Sequence, residues 1–205
     1  NHYQSYTDLA YASVNGGDRV GDPLPRCPDD PRVLWRDWMT RGWFEWESEG
    51  YPFWSNLRHT QTWWDYRHQP NFLWLHYNDM LADLEGAVRR IAAFCRIDAS
   101  EETIARTVRE TTFARVKRRA EQLPEESDGA RFFFRGGAKR FFFKGSNGRW
   151  RGVLMPEDLA LYEQAAARVL SPECVKWLES GGPLQPQARR APTDGCAQPT
   201  PGSGA

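Results

Sequence analysis

One short apolar run without helical spacing, Phe72 to Leu75 in PNFLWLHY, stands just before the most regular amphipathic helix of the chain, and this pair most narrows the fold. Entered through Pro70, the run reads as a strand. In DLEGAVRRIAAFC, Leu84, Val88, Ile91, Ala92 and Cys95 share one face while Arg89 and Arg90 project from the other. A strand followed closely by such a helix is half of a βαβ unit, so the expected class is α/β.

Everything around this pair is helical in pattern. From Asp30 to Glu49, Trp35, Trp38, Met39, Trp43 and Trp46 recur on one helical face, with Asp30 as N-cap and Pro31 in the first turn. Further helices are expected over Ser55 to Tyr66, from the cap Ser100 through SEETIARTV, along TTFARVKRRAEQ, from Pro156 through PEDLALYEQAAARVL, and over PECVKWLES to Gly181, with a polar loop from Pro124 to Gly129. A helix-rich chain with one strand, beginning at Asn1 without methionine, is expected to be part of a larger α/β domain. Residues 1–181 form that part, and residues 182–205, rich in Pro, Gly and Ala, are expected to be a disordered tail.

Seven of the ten tryptophans lie between residues 35 and 64, either as core or as an aromatic cover over a hydrophobic ligand. No apolar run reaches the ~20 residues of a membrane-spanning helix, and NHYQSYTDLAY lacks the regions of a signal peptide, so a cytoplasmic location is expected. Cys27, Cys95, Cys174 and Cys196 are too scattered for a CxxC metal site and are read as free thiols.

A net charge of zero conceals a segregation. Residues 1–112 carry 12 Lys/Arg against 17 Asp/Glu, residues 113–151 carry 11 against 4, and residues 152–205 carry 4 against 6. Such a basic window attracts an anion, a small phosphorylated ligand or a short nucleic-acid segment. It ends in FFFKGSNGRWRG, where Gly145 and Gly148 let the backbone turn and expose N–H donors while Lys144, Arg149 and Arg151 supply cations. Phosphate oxygens are the natural guest; a surface turn anchored by core aromatics is the other reading of the same residues.

Four stretches, PNFLWLHYNDMLADLEGAVRRIAAF, TTFARVKRRA, FFFKGSNGRWR and LMPEDLALY, resemble in order and spacing the C-terminal half of the cytosolic-type sulfotransferases, across about residues 1 to 180. The resemblance implies a P-loop-like three-layer α/β fold, present here as an incomplete, helix-rich C-terminal portion with few strands. It implies 3'-phosphoadenosine 5'-phosphosulfate (PAPS) as cosubstrate, adenosine 3',5'-bisphosphate (PAP) as product, no metal, and a small, hydrophobic hydroxyl or amine acceptor. By position, Tyr77, Thr111 and Phe113 would lie by the adenine, and Lys144 and Gly145 would hold the 3'-phosphate. Phe141, Phe142 and Phe143 lead into that turn, Phe143 standing where the family more often has Arg. Arg149 replaces a frequent Asp and Arg151 a Lys, and the two arginines would restore the lost charge.

The resemblance also implies a catalytic histidine and a phosphosulfate-loop lysine, both expected ahead of Asn1, so no catalytic residue is assigned in this chain. His2, His59, His68 and His76 do not occupy the catalytic position, and His59, before the Trp63-Trp64 pair, is either structural or an acceptor-side contact. The family's dimer signature is altered at Met155, Pro156 and Ala160, leaving oligomeric state open. The alternatives are a noncatalytic module that binds a nucleotide or stacks on single-stranded nucleic acid, and an inactive remnant.

Overall fold

A computed structural model describes residues 2–18 and 21–184. Among these residues the chain forms α1 (Asp8–Asn15), α2 (Pro31–Thr40), α3 (Asn56–Trp64), α4 (Tyr77–Ala82), α5 (Leu84–Phe94), α6 (Glu101–Thr111), α7 (Phe113–Glu121), α8 (Ala130–Phe133), α9 (Gly137–Phe141), α10 (Pro156–Val169) and α11 (Pro172–Ser180). Local chemistry sets most of the starts. The side chains of Thr7, Asp30, Ser55, Asp83, Ser100, Thr112 and Ser171 each accept a backbone N–H of the first turn that follows. Thr112 also explains why two adjacent helical patterns do not fuse: its ψ of 142° breaks the run between α6 and α7.

The core is organised on α10, which packs against α2, α3 and α11. Met39, Leu57, Trp64, Ala165, Ala166, Leu170, Cys174 and Trp177 form its buried centre, with Trp35, Trp38 and Trp74 packed against it. Trp64, Trp74 and Trp177 meet at centroid distances of 5.2 to 5.6 Å, two of the three pairs edge to face, the favoured geometry for aromatic quadrupoles. A smaller cluster of Tyr3, Tyr11 and Leu34 seats the N-terminal segment. That segment is also tied to α8 by Thr7 N–H to the Phe133 carbonyl (3.0 Å) and Arg135 N–H to the Ser5 carbonyl (2.7 Å).

A buried ion cluster locks α2 to α10. Asp158, wholly buried, accepts from Arg32 Nε at 2.5 Å and Arg36 Nε at 2.7 Å, and its backbone carbonyl accepts the Trp35 indole N–H at 2.8 Å. The Arg32 guanidinium holds the Asp158 carboxyl far below the usual carboxylate range against the opposing cost of burial.

Three expectations are corrected. First, the described residues contain no β-strand, only an isolated antiparallel bridge between Tyr6 and Phe134, so the three-layer α/β arrangement is not seen. The expected strand Phe72 to Leu75 is irregular backbone, because no neighbouring segment completes a ladder with it among the described residues. Second, the helix expected from Asp30 to Glu49 stops at Thr40. Glu47 accepts from the Trp43, Phe44 and Ser55 backbone N–H groups and so ties residues 43–55 into a loop. Gly42 permits this fold-back, since a Cβ there would fall 2.4 Å from Glu47. Third, the tryptophans of residues 35 to 64 divide: Trp64 is 2% exposed whereas Trp46 and Trp54 are each 68% exposed.

At the far end, Gly182 donates its N–H to Asp79 (2.9 Å), accepts the Trp177 indole N–H (3.0 Å), and is followed by Leu184 packed on the core. The remainder of the expected tail, with Cys196, lies outside the described residues; Cys27, Cys95 and Cys174 carry free thiols. No helix of the described residues is long and apolar enough to cross a membrane.

Candidate functional site

The loop that follows α9 crosses α4 and α7 and is fixed to both. Gly145 adopts φ +62°, a left-handed conformation, and a Cβ on it would lie 2.5 Å from the Phe113 ring, so only glycine lets the aromatic face reach the turn. The Tyr77 hydroxyl approaches the Gly145 carbonyl at 3.4 Å, Lys117 Nζ donates to the Phe143 carbonyl at 2.9 Å, and the Asn147 amide donates to Asn78 Oδ1. Three chain segments separated by dozens of residues thus converge on one turn.

The cations of the turn group around a half-exposed ring. Lys144 Nζ lies 5.3 Å and Arg149 Cζ 4.9 Å from the Phe143 centroid, within cation–π range. Among the described residues no carboxylate pairs with Arg140, Lys144, Arg149 or Arg151, whereas Arg115, Arg131 and Arg135, of the same basic window, have acidic partners. Beside Phe143 a cavity of about 160 Å³ is lined by His2, Ser5, Arg140 and Arg149. Burial first, then neighbouring positive charge including Arg149, holds His2 below its usual value. The cavity therefore presents two guanidinium groups and an imidazole to a small anion.

Of the candidate residues, Tyr77, Phe113, Phe143, Lys144, Gly145 and Arg149 come together in this network. Thr111, the last residue of α6, does not join it through its hydroxyl, which donates back to the Thr107 carbonyl at 2.8 Å. Phe141 stacks on His2 at 4.4 Å and Phe142 meets Phe141 edge to face at 5.2 Å, so Phe141 reaches the small cavity only through His2 and neither ring lines it. Arg151 lies 5.3 Å from the Trp150 ring and lines a second, larger cavity. His2, Ser5 and Arg140 were not singled out by spacing: Arg140 lay in the basic window, but no local pattern joins residue 2 to residue 149.

His76 and His59 are held by internal hydrogen bonds, whereas His68 Nε2 is buried without a hydrogen-bond partner among the described residues. His76 Nδ1 accepts the Asn78 N–H, which leaves Nε2 to carry the proton and donate to the Leu178 carbonyl at 3.0 Å. His59 Nε2 accepts the Trp63 indole N–H at 2.9 Å, satisfying a contact inside α3.

Comparison with known proteins bears on the family of the chain. The sulfotransferase domain family matches residues 37–171. The glycolipid sulfotransferase of Mycobacterium bovis is 27% identical over 129 residues, covering 62% of this chain and 38% of the relative. Sulfotransferase 1E1 of Bos taurus is 27% identical over 104 residues, 49% of this chain and 33% of the relative. The amine sulfotransferase of Oryctolagus cuniculus is 34% identical over 59 residues, 29% of this chain and 20% of the relative. The chain thus spans between a fifth and two fifths of the length of these relatives. No solved structure matches it. With two thirds of its length matched, the chain belongs to the sulfotransferase domain family.

Proposed function

We propose that this chain is the C-terminal portion of a cytoplasmic PAPS-dependent sulfotransferase and that its part is to hold the nucleotide end of the donor. The observation that carries the reading is the convergence of Tyr77, Phe113 and the left-handed Gly145 beside cations that have no carboxylate partner among the described residues. Tyr77 and Phe113 offer aromatic surface to an adenine. Lys144 and the exposed backbone of the turn are suited to its 3'-phosphate, and Arg140 and Arg149 make the adjoining cavity basic. Phe141, stacked on His2, backs that imidazole at the edge of the cavity.

When bound, the donor supplies the sulfuryl group that passes to a hydroxyl or amine of a small, hydrophobic acceptor, leaving PAP. That step needs a base for the acceptor proton and cations at the bridging oxygen. The reading assigns neither role within this chain, and His59 and His76 are committed to internal hydrogen bonds. Exposed rings such as Trp46 and Trp54 are suited to the apolar side of an acceptor.

Calorimetric titration with PAP and with AMP tests the assignment. PAP is expected to bind more tightly, and Lys144→Ala to weaken it by about tenfold to a hundredfold with the thermal transition unchanged. Equal affinity for the two nucleotides, or an unaltered affinity in the folded variant, overturns it. Tight oligonucleotide binding with a steep salt dependence would instead favour a nucleic-acid module.

A further inference from the structure

The turn that carries Lys144 and Arg149 has little rigidity of its own. Gly145 at φ +62° and Gly148 at φ +74° bracket its middle, and glycine keeps such a conformation only as firmly as its neighbours hold it. At the entry the chain is fastened by Lys117 Nζ on the Phe143 carbonyl at 2.9 Å and by the Phe113 ring against Gly145. Past Gly148 the backbone closes on itself, Arg151 N–H to the Gly148 carbonyl at 3.1 Å. Between these two points, residues 146–149 make one hydrogen bond to the body of the protein among the described residues, from the Asn147 side-chain amide to Asn78 Oδ1.

The acceptor stands on a fixed base. His76 caps α4, its Nδ1 accepting the Asn78 N–H at 3.2 Å and its Nε2 bonded to the Leu178 carbonyl at 3.0 Å, and Asp79 accepts the Gly182 N–H at 2.9 Å. Three consecutive residues of α4 divide the work: Tyr77 meets Gly145, Asn78 meets Asn147, and Asp79 ties the helix to the chain beyond α11. What hangs on the middle contact is Arg149. Its guanidinium carbon lies 4.9 Å from the Phe143 centroid, at the basic cavity, and no carboxylate pairs with it among the described residues. A cation without an ionic partner is placed by its backbone, and this backbone is placed by Asn147. We infer that the Asn147–Asn78 pair is the positioning device of the proposed phosphate turn, holding residues 146–149 so that Lys144 and Arg149 both stand about the Phe143 ring and a nucleotide with a 3'-phosphate is favoured over one without. The inference rests on the nucleotide reading. Both residues act through the turn, so losing the pair lowers affinity by the fraction of time the turn spends out of place.

Calorimetric titration of the whole chain with PAP and with AMP, for the parent, Asn147→Ala, Asn78→Ala and the double variant, tests it together with backbone amide relaxation measured by NMR without nucleotide. Neither side chain belongs to the buried core, so the variants are expected to keep the fold. Each single alanine variant should bind PAP about threefold to tenfold more weakly and AMP as the parent does, and the double variant should lose no more than either single one. Order parameters of residues 146–149 should fall from about 0.85 to below about 0.6 in both alanine variants and stay high in Asn78→Asp, which keeps an acceptor oxygen in place. The pair is refuted if the alanine variants keep the parent's affinity for PAP, if they lose PAP and AMP equally, if the two losses add in the double variant, or if the order parameters do not move. In each of these cases the parent's preference for PAP and the effect of Lys144→Ala still stand; a parent that does not prefer PAP overturns the nucleotide reading itself, and this inference with it.

Discussion

Arg32 and Arg36 on α2 converge on one buried carboxylate, whereas Arg140, Lys144 and Arg149 lie near one another with no carboxylate partner among the described residues. The same contrast runs through the aromatics. Trp64 and Trp177 are interlocked around α10, while Phe132, Phe133 and Phe143, in the basic window, are each more than two fifths exposed. One region therefore uses charge and ring surface to hold the molecule together, and the other leaves both available. Substitutions in the first region are expected to act on stability and, if the proposed nucleotide site is right, those in the second on binding, because only in the first are the groups already satisfied by the fold.

The contrast breaks if the two regions respond alike to substitution. Trp64→Ala should cost the most, about 3–5 kcal/mol in chemical denaturation, by opening a cavity among Trp74, Trp177 and α10. Gly145→Ala should cost less in stability, about 1–2 kcal/mol from the left-handed backbone, and should chiefly weaken PAP by driving the Phe113 ring off the turn. Equal losses of stability in the two variants would erase the distinction.

A smaller effect sharpens the comparison inside the packed region, where two buried carboxyls pull in opposite directions. Asp158 titrates below its ordinary range, so its contribution is complete above about pH 4 and is lost as pH falls toward the folded value. Glu49, buried and bonded by the Ser55 hydroxyl, is pushed up by burial and leaves Oε2 without a hydrogen-bond partner. Its folded form keeps a proton that the unfolded chain gives up, so it lowers stability as pH rises through and above the ordinary carboxylate range. Glu49→Gln should flatten the decline in melting temperature between about pH 4 and neutrality while leaving the acid limb intact. An unchanged profile would remove Glu49 from this role.

What could be read from the sequence was what neighbours along the chain decide. The Asp30 and Pro31 start, the Ser100 cap and the Pro156 start are each settled within four residues, and each was legible. The Trp periodicity past Thr40 misled because Glu47 competes for N–H groups that a longer helix would have used. Asp158 gave no signal, since its arginines lie more than 120 residues away. In the site, Lys144, Gly145 and Arg149 were legible as a cationic glycine turn, and Tyr77 and Phe113 through the family resemblance. The basic cavity was not, because it is assembled from residues 2, 5, 140 and 149 by tertiary folding alone.

The irregular stretch before α4 has a further consequence. Leu73, Trp74 and Leu75 carry backbone amides that no acceptor meets among the described residues, and their side chains are those of an aggregation-prone segment. Arg90, in the second turn of α5, donates to the Trp74 carbonyl at 2.9 Å and so sets a permanent positive charge against this apolar seam. A second molecule adding itself there edge to edge would have to displace or bury that guanidinium, a cost of the kind by which charged residues guard unpaired backbone.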